Sequence, residues 1–325
     1  MKLIEFASAE KLRGGFYTPE PIADFILRWG INGSSTFDIL EPSCGDGVFL
    51  EQILNSHSKY KSITAIEFDE IEAAKANLIP LPNTRVINAD FHVYCNETSD
   101  KFDLVIGNPP YIRYQYFDEN QQKEAAFLFK RTGLTYSKLT NAWVSFVVGS
   151  SLLLKDTGKI GFVIPAELLQ VTYAQQLRSF LAYFYNKINI ISFEKLVFPH
   201  IQQEVVLLLC EKDNSSNHKI EHLEVRDLEA LKTVDVNILK SPKKEIDIKN
   251  NKWTFYFLEQ KEIDFLKTVS QQYNIAPLGK YAGVEVGITT GSNDFFTVST
   301  AVVEQFQLAY TRAALIKSEI GRAHV

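Results

Sequence analysis

The chain has 325 residues, 46% hydrophobic and 22% charged, which is the composition of a globular protein with enough apolar material for a full core and more than one domain. Its 34 Lys and Arg against 39 Asp and Glu leave a net charge of −5, which excludes a wholly basic nucleic-acid coat but not a local basic face. The cysteines Cys44, Cys95 and Cys210 lie far apart without a Cys-x-x-Cys pair, arguing against a disulfide framework or zinc module, and no run of about 18 apolar residues is present to span a bilayer.

The opening segment MKLIEFASAEKLRGG is too short in its apolar run and too mixed in charge for a secretory signal, so a soluble, reducing, cytoplasmic setting is expected. Short apolar runs then alternate with longer segments of mixed period. Phe37–Leu40, Ile63–Glu67, Arg85–Asn88, Phe102–Gly107, Lys159–Ile164, Ile188–Phe193 and Glu204–Cys210 read as strands, and most are Ile-, Val- and Leu-rich without strict alternation, as strands covered on both faces are. Val48–Leu54, Ile71–Leu78, Asn141–Leu154 and Ala174–Tyr185 read as helices. The alternation predicts an α/β protein with a doubly wound, mostly parallel, seven-stranded sheet. No helix separates Ile188–Phe193 from Glu204–Cys210, so the last strand is expected to enter antiparallel at an edge region.

After Cys210 the turn-rich EKDNSSNHK marks a boundary. Five lysines stand against two acids between Lys240 and Lys252, followed by a strand-like WTFYF, a helix-like Leu258–Ser270 and the glycine-rich GVEVGITTGSNDFFTV. We divide the chain into a first domain (1–212), a connecting region (213–270) and the beginning of a further domain (271–325). The tail IGRAHV, residues 320–325, reverse-translates into a common sequencing-adaptor string; we read it as an artefact rather than a natural tail and expect a longer natural protein.

The first chemical constellation is LEPSCGDGVFL, a buried strand running through Gly45 and Gly47 into a helix. Glycines there let the backbone turn sharply and approach a ligand, and such loops at strand C-termini form crevices for nucleotide-like cofactors; a tight strand-to-helix turn is the plain alternative. The loop is neither GxGxxG nor GxxxxGK[ST], and Glu41 at the strand end disfavours anionic phosphate. A ligand carrying positive charge, such as a sulfonium–amino acid zwitterion, suits it better. Glu67 ends the next strand 22 residues after Gly45, near the spacing at which an acid reaches ribose hydroxyls, with Asp69 a weaker candidate. Asp90 and Phe91 end the third strand, where they could accept from an adenine amino group and pack on its ring. Helix capping by Asp69 or Asp90 and core packing of Phe91 are equally good readings of these residues alone.

FDLVIGNPPYI is the sharpest motif. A buried strand ends in Asn108-Pro109-Pro110-Tyr111, and the two prolines stiffen the loop. The Asn108 amide and the Pro109 carbonyl can together accept from one amino group, with an aromatic beside them to stack on a planar base. An adenine amino nitrogen is a poor nucleophile because its lone pair is delocalised; accepting both N–H bonds would localise it without a conventional base or a covalent intermediate, so Cys44 is not needed as a nucleophile.

Here the sequence resembles the S-adenosylmethionine-dependent N6-adenine DNA methyltransferases of the NPPY type found in type II restriction-modification systems, in the motif order of their gamma class. GGFYTPEPIADFIL comes first, then LEPSCGDG, AIEFDE, NADF, NPPY, GKIGFVIPAELL and VFPHIQQEVVLLL, covering roughly residues 12 to 212. The glycine-rich segment near the end is similar to the entry to that family's recognition domain. The resemblance implies a class I, Rossmann-like methyltransferase fold, C-terminally truncated, with the start of a target-recognition domain, S-adenosylmethionine as cofactor and no metal. It implies double-stranded DNA as partner, together with a cognate restriction endonuclease where such a system is present, and no membrane. By the same resemblance Thr18, beside Pro19, helps close the cofactor site, while Glu41, Ser43, Cys44, Gly45 and Gly47 hold the methionine part. Glu67 takes the ribose, Asp90 and Phe91 the cofactor's adenine, and Pro110 packs near the cofactor. Asn108, Pro109 and Tyr111 hold the target base, and Phe198 contacts it after flipping.

Three other readings stay open on sequence alone. A glutamine methyltransferase acting on a translation release factor shares NPPY, although the motif before the cofactor loop and the C-terminal extension disfavour it. An RNA adenine methyltransferase faces the same chemistry, and an inactive DNA-binding subunit could keep the fold. The lysines at 240–252 suit a DNA backbone face or a solvated linker equally. The acidic chain and curtailed recognition module predict weak DNA affinity.

Overall fold

The computed structural model describes residues 17–31, 36–135, 140–198, 203–213, 215–247, 252–273, 275–276, 278–281 and 299–307. The glycine-rich segment at 283–298, the tail at 320–325 and the opening segment at 1–15 lie outside them. The chain divides into two compact units, Met1–Leu266 and Lys267–Val325. In the second, a 3-10 turn at Leu278–Lys280 and a short helix, Thr300–Gln305, capped by Ser299, are described.

The first unit is built on one sheet. Its strands are β1 (Asp38–Glu41), β2 (Ser62–Glu67), β3 (Thr84–Asn88), β4 (Phe102–Gly107), β5 (Leu154–Pro165), β6 (Lys187–Phe193), β7 (Val205–Glu211), β8 (Lys219–Val225) and β9 (Lys244–Glu245). The spatial order is β3-β2-β1-β4-β5-β7-β6-β8-β9. The first five are mutually parallel, β7 runs antiparallel to both β5 and β6, and β8 is parallel to β6.

The mostly parallel α/β sheet agrees with the sequence reading, with two corrections. The sheet has nine strands rather than seven. KIEHLEV mixes Lys219, Glu221, His222 and Glu224 with its apolar residues, and β9 has only two residues, so neither shows the apolar run used to find the others. The antiparallel strand β7 is not at an edge but between β5 and β6. VVLLLC is buried throughout, and an apolar run covered on both faces is unsuited to an open edge. WTFYF is a 3-10 helix, Trp253–Phe257, not a strand; Trp253 and Tyr256 are buried at the three-residue spacing of that helix.

Alternate residues of the central strands feed two cores. Ile39, Leu104, Ile106, Val163, Leu207 and Leu209 face α1 (Glu20–Gly30) and α2 (Val48–Ser56), whose Phe25, Ile26 and Phe49 are fully buried. Leu40, Val105, Phe162 and Leu208 face α4 (Phe91–Glu97), α5 (Glu119–Thr132), α6 (Ala142–Leu152) and α7 (Gln175–Phe184). Between β2 and β3 runs the short α3 (Glu70–Ala76). Strand order reverses between β1 and β4, so the loops at their C-terminal ends part and leave a crevice. Among the described residues no helix is long and apolar enough to cross a membrane.

Candidate functional site

A cleft of about 370 Å³ opens at that reversal point, within the usual range for a small-molecule site. The ends of β1, β2, β3 and β4 all contribute to it.

The β1 loop supplies Glu41, Ser43, Cys44, Gly45 and Asp46. Gly45 and Gly47 have φ of +54° and +100°, the left-handed region that a side chain disfavours. Glu67, at the end of β2, braces the turn: Gly45 N donates to its Oε2 and Asp69 N to its Oε1, each at 2.8 Å. Glu41 is only 1% exposed and its Oε2 has no hydrogen-bond partner. Burial, then the neighbouring Glu67 and Asp46 carboxylates, push its carboxyl well above the usual range. Burial and the Glu41 and Glu67 carboxylates likewise push the Cys44 thiol far up, which disfavours its thiolate form.

Asp69 and Asp90 both cap helices. Asp69 Oδ1 accepts from Ile71 N and Glu72 N at the start of α3. Asp90 Oδ1 accepts from His92 N and Val93 N at the start of α4, and Asp90 Oδ2 accepts from Gln121 Nε2 at 3.1 Å. Burial opposes the Asp90 charge, yet the hydrogen bonds and the adjacent His92 ring outweigh it and hold the carboxyl below the usual range. Asp90 nonetheless lines the cleft, as does Phe91, which stacks on Phe146 with ring centroids 4.9 Å apart.

At the end of β4, Asn108 and Pro110 line the cleft and Pro109 is buried behind them. Ser43 Oγ donates to the Asn108 carbonyl oxygen at 3.3 Å, joining the β1 loop to the Asn-Pro-Pro turn. Tyr111 is half-buried, its ring packed against both cores and its hydroxyl bonded to Asn108 Oδ1. Thr18 also lines the cleft. Phe198 is placed differently: it is 5% exposed, in the core shared with Val197 and Val205, and does not line the cleft. Thus the cleft gathers Thr18, Glu41, Ser43, Cys44, Gly45, Glu67, Asp90, Phe91, Asn108 and Pro110, with Gly47 shaping the turn behind them.

The sequence reading missed Asp46, Phe68, Glu72, His92, Phe117 and Gln121, all of which line the cleft. Only Gln121 had a legible signal, the Asp-x-x-Gln spacing of a capping box from Asp118. Six carboxylates, those of Glu41, Asp46, Glu67, Asp69, Glu72 and Asp90, line the cleft, and none of the described lining residues is a lysine or arginine. Such a wall repels polyphosphate and favours a ligand with positive charge beside hydroxyl and amino donors. The orphaned, buried Glu41 oxygen fits an ammonium or sulfonium group, and the Phe91 edge fits a planar base. The residues present therefore suit S-adenosylmethionine. Among the described residues no group of three or more His, Cys, Asp and Glu could hold a metal ion.

Comparison with known proteins finds similarity to restriction-modification methylases. A family model described as the Eco57I restriction-modification methylase matches residues 44–198, and one described as the C-terminal domain of the type II methyltransferase M.Eco57I matches residues 250–321. The type II methyltransferase M.AccI of Acinetobacter calcoaceticus is 30% identical over 90% of this chain and 54% of its own length. M.HincII of Haemophilus influenzae is 27% identical over 75% of this chain and 43% of its own length. The chain thus spans about half the length of these relatives. Among solved structures, a DrdV–DNA complex superposes with a TM-score of 0.63 at 18% identity, over 77% of this chain and 32% of that one. A putative class I S-adenosylmethionine-dependent methyltransferase from Listeria monocytogenes gives 0.55 at 18% identity, over 72% of this chain and 77% of that one. These likenesses identify the sheet as a class I methyltransferase fold.

Proposed function

We propose, from the match of residues 44–198 to the Eco57I restriction-modification methylase model and from the similarity to M.AccI, that the chain is a site-specific adenine DNA methyltransferase using S-adenosylmethionine, with N6 of a flipped adenine in double-stranded DNA as its target. The observation that carries this reading is one cavity lined by both Glu41, whose Oε2 has no hydrogen-bond partner, and Asn108. When bound, the cofactor supplies an activated methyl group on a sulfonium centre. Glu41 and the Gly45–Gly47 turn hold its methionine part, Glu67 its ribose, and Asp90 with Phe91 its adenine. Thr18 closes the site.

The chain's own part in the reaction is played by the Asn-Pro-Pro turn. Asn108 Oδ1 and the Pro109 carbonyl oxygen accept the two N–H bonds of the target amino group. That draws its lone pair out of the ring, and the two prolines keep the acceptors fixed. Pro110 packs beside the cofactor. The Tyr111 ring supports the extruded base, and Phe198 reaches that base only when its ring is uncovered. Unstacking the base requires a few kcal/mol, part of which aromatic contact offsets. The biological setting we infer is restriction-modification or a related defence system, with a cognate endonuclease as the further partner.

Transfer of tritium from labelled cofactor to DNA, RNA and protein tests the reading, with Asn108→Ala alongside. Label should enter DNA adenine with the natural enzyme. It should be lost in Asn108→Ala while cofactor titration stays unchanged. Wild-type turnover in that variant removes Asn108 from the mechanism, and label in protein or RNA alone replaces the substrate.

A further inference from the structure

Gln121 lies outside every motif of the resemblance, 31 residues beyond Asp90, yet its side chain reaches into the cleft and binds that aspartate. Asp90 Oδ1 is taken up by the backbone amides of His92 and Val93, at 2.7 and 3.2 Å. Oδ2 is the oxygen left for a ligand, and Gln121 Nε2 occupies one side of it at 3.1 Å. A carboxylate oxygen has room for one more donor.

The amide is itself held. Gln121 Oε1 accepts from Asp118 N at 3.2 Å, and Gln121 N donates to Asp118 Oδ1 at 2.8 Å, so the start of α5 fixes the orientation of the clamp. The segment leading into α5 is packed onto the same place. Phe117 meets the His92 ring edge-on at 5.6 Å and the buried Tyr114 ring at 5.2 Å. Asn96 Nδ2 donates to Glu124 Oε2 at 2.8 Å, a second link between α4 and α5.

We propose that Gln121 is a positioning residue for cofactor recognition: it holds Asp90 so that Oδ2 accepts from a purine 6-amino group, and it ties that contact to the folding of residues 114–121, which follow the Asn-Pro-Pro turn. The inference rests on the cleft being an S-adenosylmethionine site. A 6-oxo purine would set a lone pair against Oδ2, so the clamp selects the amino form. Because the clamp belongs to the helix start, cofactor occupancy and order in the segment after the turn strengthen each other.

Gln121→Glu is the informative variant. Glutamate at this position still accepts from Asp118 N, so the capping box survives, but it sets a carboxylate oxygen against Asp90 in place of the donor. Gln121→Met keeps the length and loses both bonds. Calorimetric titration with S-adenosylhomocysteine and its 6-oxo analogue S-inosylhomocysteine, on the full chain, reads the effect. The natural protein should prefer the amino ligand about tenfold or more. In Gln121→Glu that preference should shrink to about twofold, and Gln121→Met should lie between. Hydrogen exchange of residues 114–121 should slow on adding S-adenosylhomocysteine to the natural protein and not to Gln121→Glu. An unchanged ligand preference in both variants overturns the role of Gln121 while leaving the cofactor site standing. Failure of the natural protein to bind either ligand overturns the cofactor reading and this inference with it.

Discussion

The Tyr111 hydroxyl lies 2.6 Å from Asn108 Oδ1, donating to it, and 3.0 Å from the carbonyl oxygen of Val163 on β5. The side chain that ends the NPPY motif thus secures the amide that begins it. Burial pushes the phenol well above its ordinary range, so the hydroxyl stays protonated and available as a donor. Ring and hydroxyl can be separated by substitution. Tyr111→Phe keeps the ring and should slow single-turnover methylation about fivefold to tenfold, the equivalent of one net hydrogen bond, with cofactor affinity unchanged. Tyr111→Ala should be slower again. Rapid-quench assays with labelled cofactor check both, and a Tyr111→Phe rate equal to the natural one would confine Tyr111 to a ring contact.

Glu41 sets stability against function. A carboxyl whose folded pKa is raised is favourable below its unfolded pKa near 4.5 and loses that advantage as pH climbs through the folded value. The ligand-free protein should therefore be stabilised near neutral pH by Glu41→Gln, with a rise of a few degrees in melting temperature. The same substitution should weaken S-adenosylmethionine binding at least tenfold, because the buried charge that meets the cationic ligand is gone. Binding to the natural protein should also release protons, because the ligand's charge lowers the Glu41 pKa. Calorimetry in buffers of different ionisation enthalpy measures that release. Lower stability combined with unchanged affinity would refute the assignment.

The residues that bind and the residues that position were not equally legible. Phe102–Gly107 coincides with its sequence reading because it is a buried apolar run bounded by turn-formers, and the Asn-Pro-Pro turn follows from its prolines. α4 was hidden because Asp90 and Phe91 look like the end of a strand in INADF, although the Asp90 side chain caps a helix there. α5 was hidden because ENQQKEAAFLFKRT is largely polar, and only its capping box betrays it. Gln121 reaches Asp90 through tertiary packing that no local pattern encodes. Phe198 is the reverse case: its motif was plain, but its burial is set by β7 and neighbouring core residues distant in sequence.

The two left-handed glycines of the β1 loop should respond differently to a methyl group. At Gly45 a Cβ would meet nothing within 4 Å, so Gly45→Ala carries only the strain of φ +54°, about 1–2 kcal/mol. At Gly47 the Cβ would lie 2.4 Å from Ile79 Cδ1 and 3.3 Å from the Ala76 backbone, at φ +100°. Thermal melts should show a clearly larger loss for Gly47→Ala, with about 2–4 °C per kcal/mol expected for a unit of this size. Ile79→Ala should recover part of it, since the side-chain clash goes while the backbone strain stays. Equal losses at the two positions would mean that α3 yields to the intrusion.

Asp38 begins β1 at the end opposite Glu41 and pairs with two lysines, Lys155 on β5 and Lys61 just before β2. Lys155 Nζ lies 2.9 Å from its Oδ2 and 2.7 Å from Asp103 Oδ2, Lys61 Nζ donates to it at 2.9 Å, and Ser62 Oγ donates to its Oδ1 at 2.7 Å. Burial opposes the Asp38 charge, but the hydrogen bonds from Lys155, Ser62 and Lys61 outweigh it and hold the carboxyl far below the usual range. A depressed carboxyl contributes stability above its unfolded pKa, near 3.8, and that contribution is lost as pH falls toward the folded value. Lys155 is shifted upward: burial works against its charge, and the Asp103 and Asp38 carboxylates overcome it, so its own share disappears only at alkaline pH. Lys155→Met should therefore lower the melting temperature most between pH 5 and pH 7, and the gap to the natural protein should narrow steadily below about pH 4. S-adenosylhomocysteine affinity at neutral pH should not change, because the cleft lies at the other end of the strand. A gap that widens on acidification would mean that Lys155 supports the fold through packing of its stem rather than through the Asp38 charge.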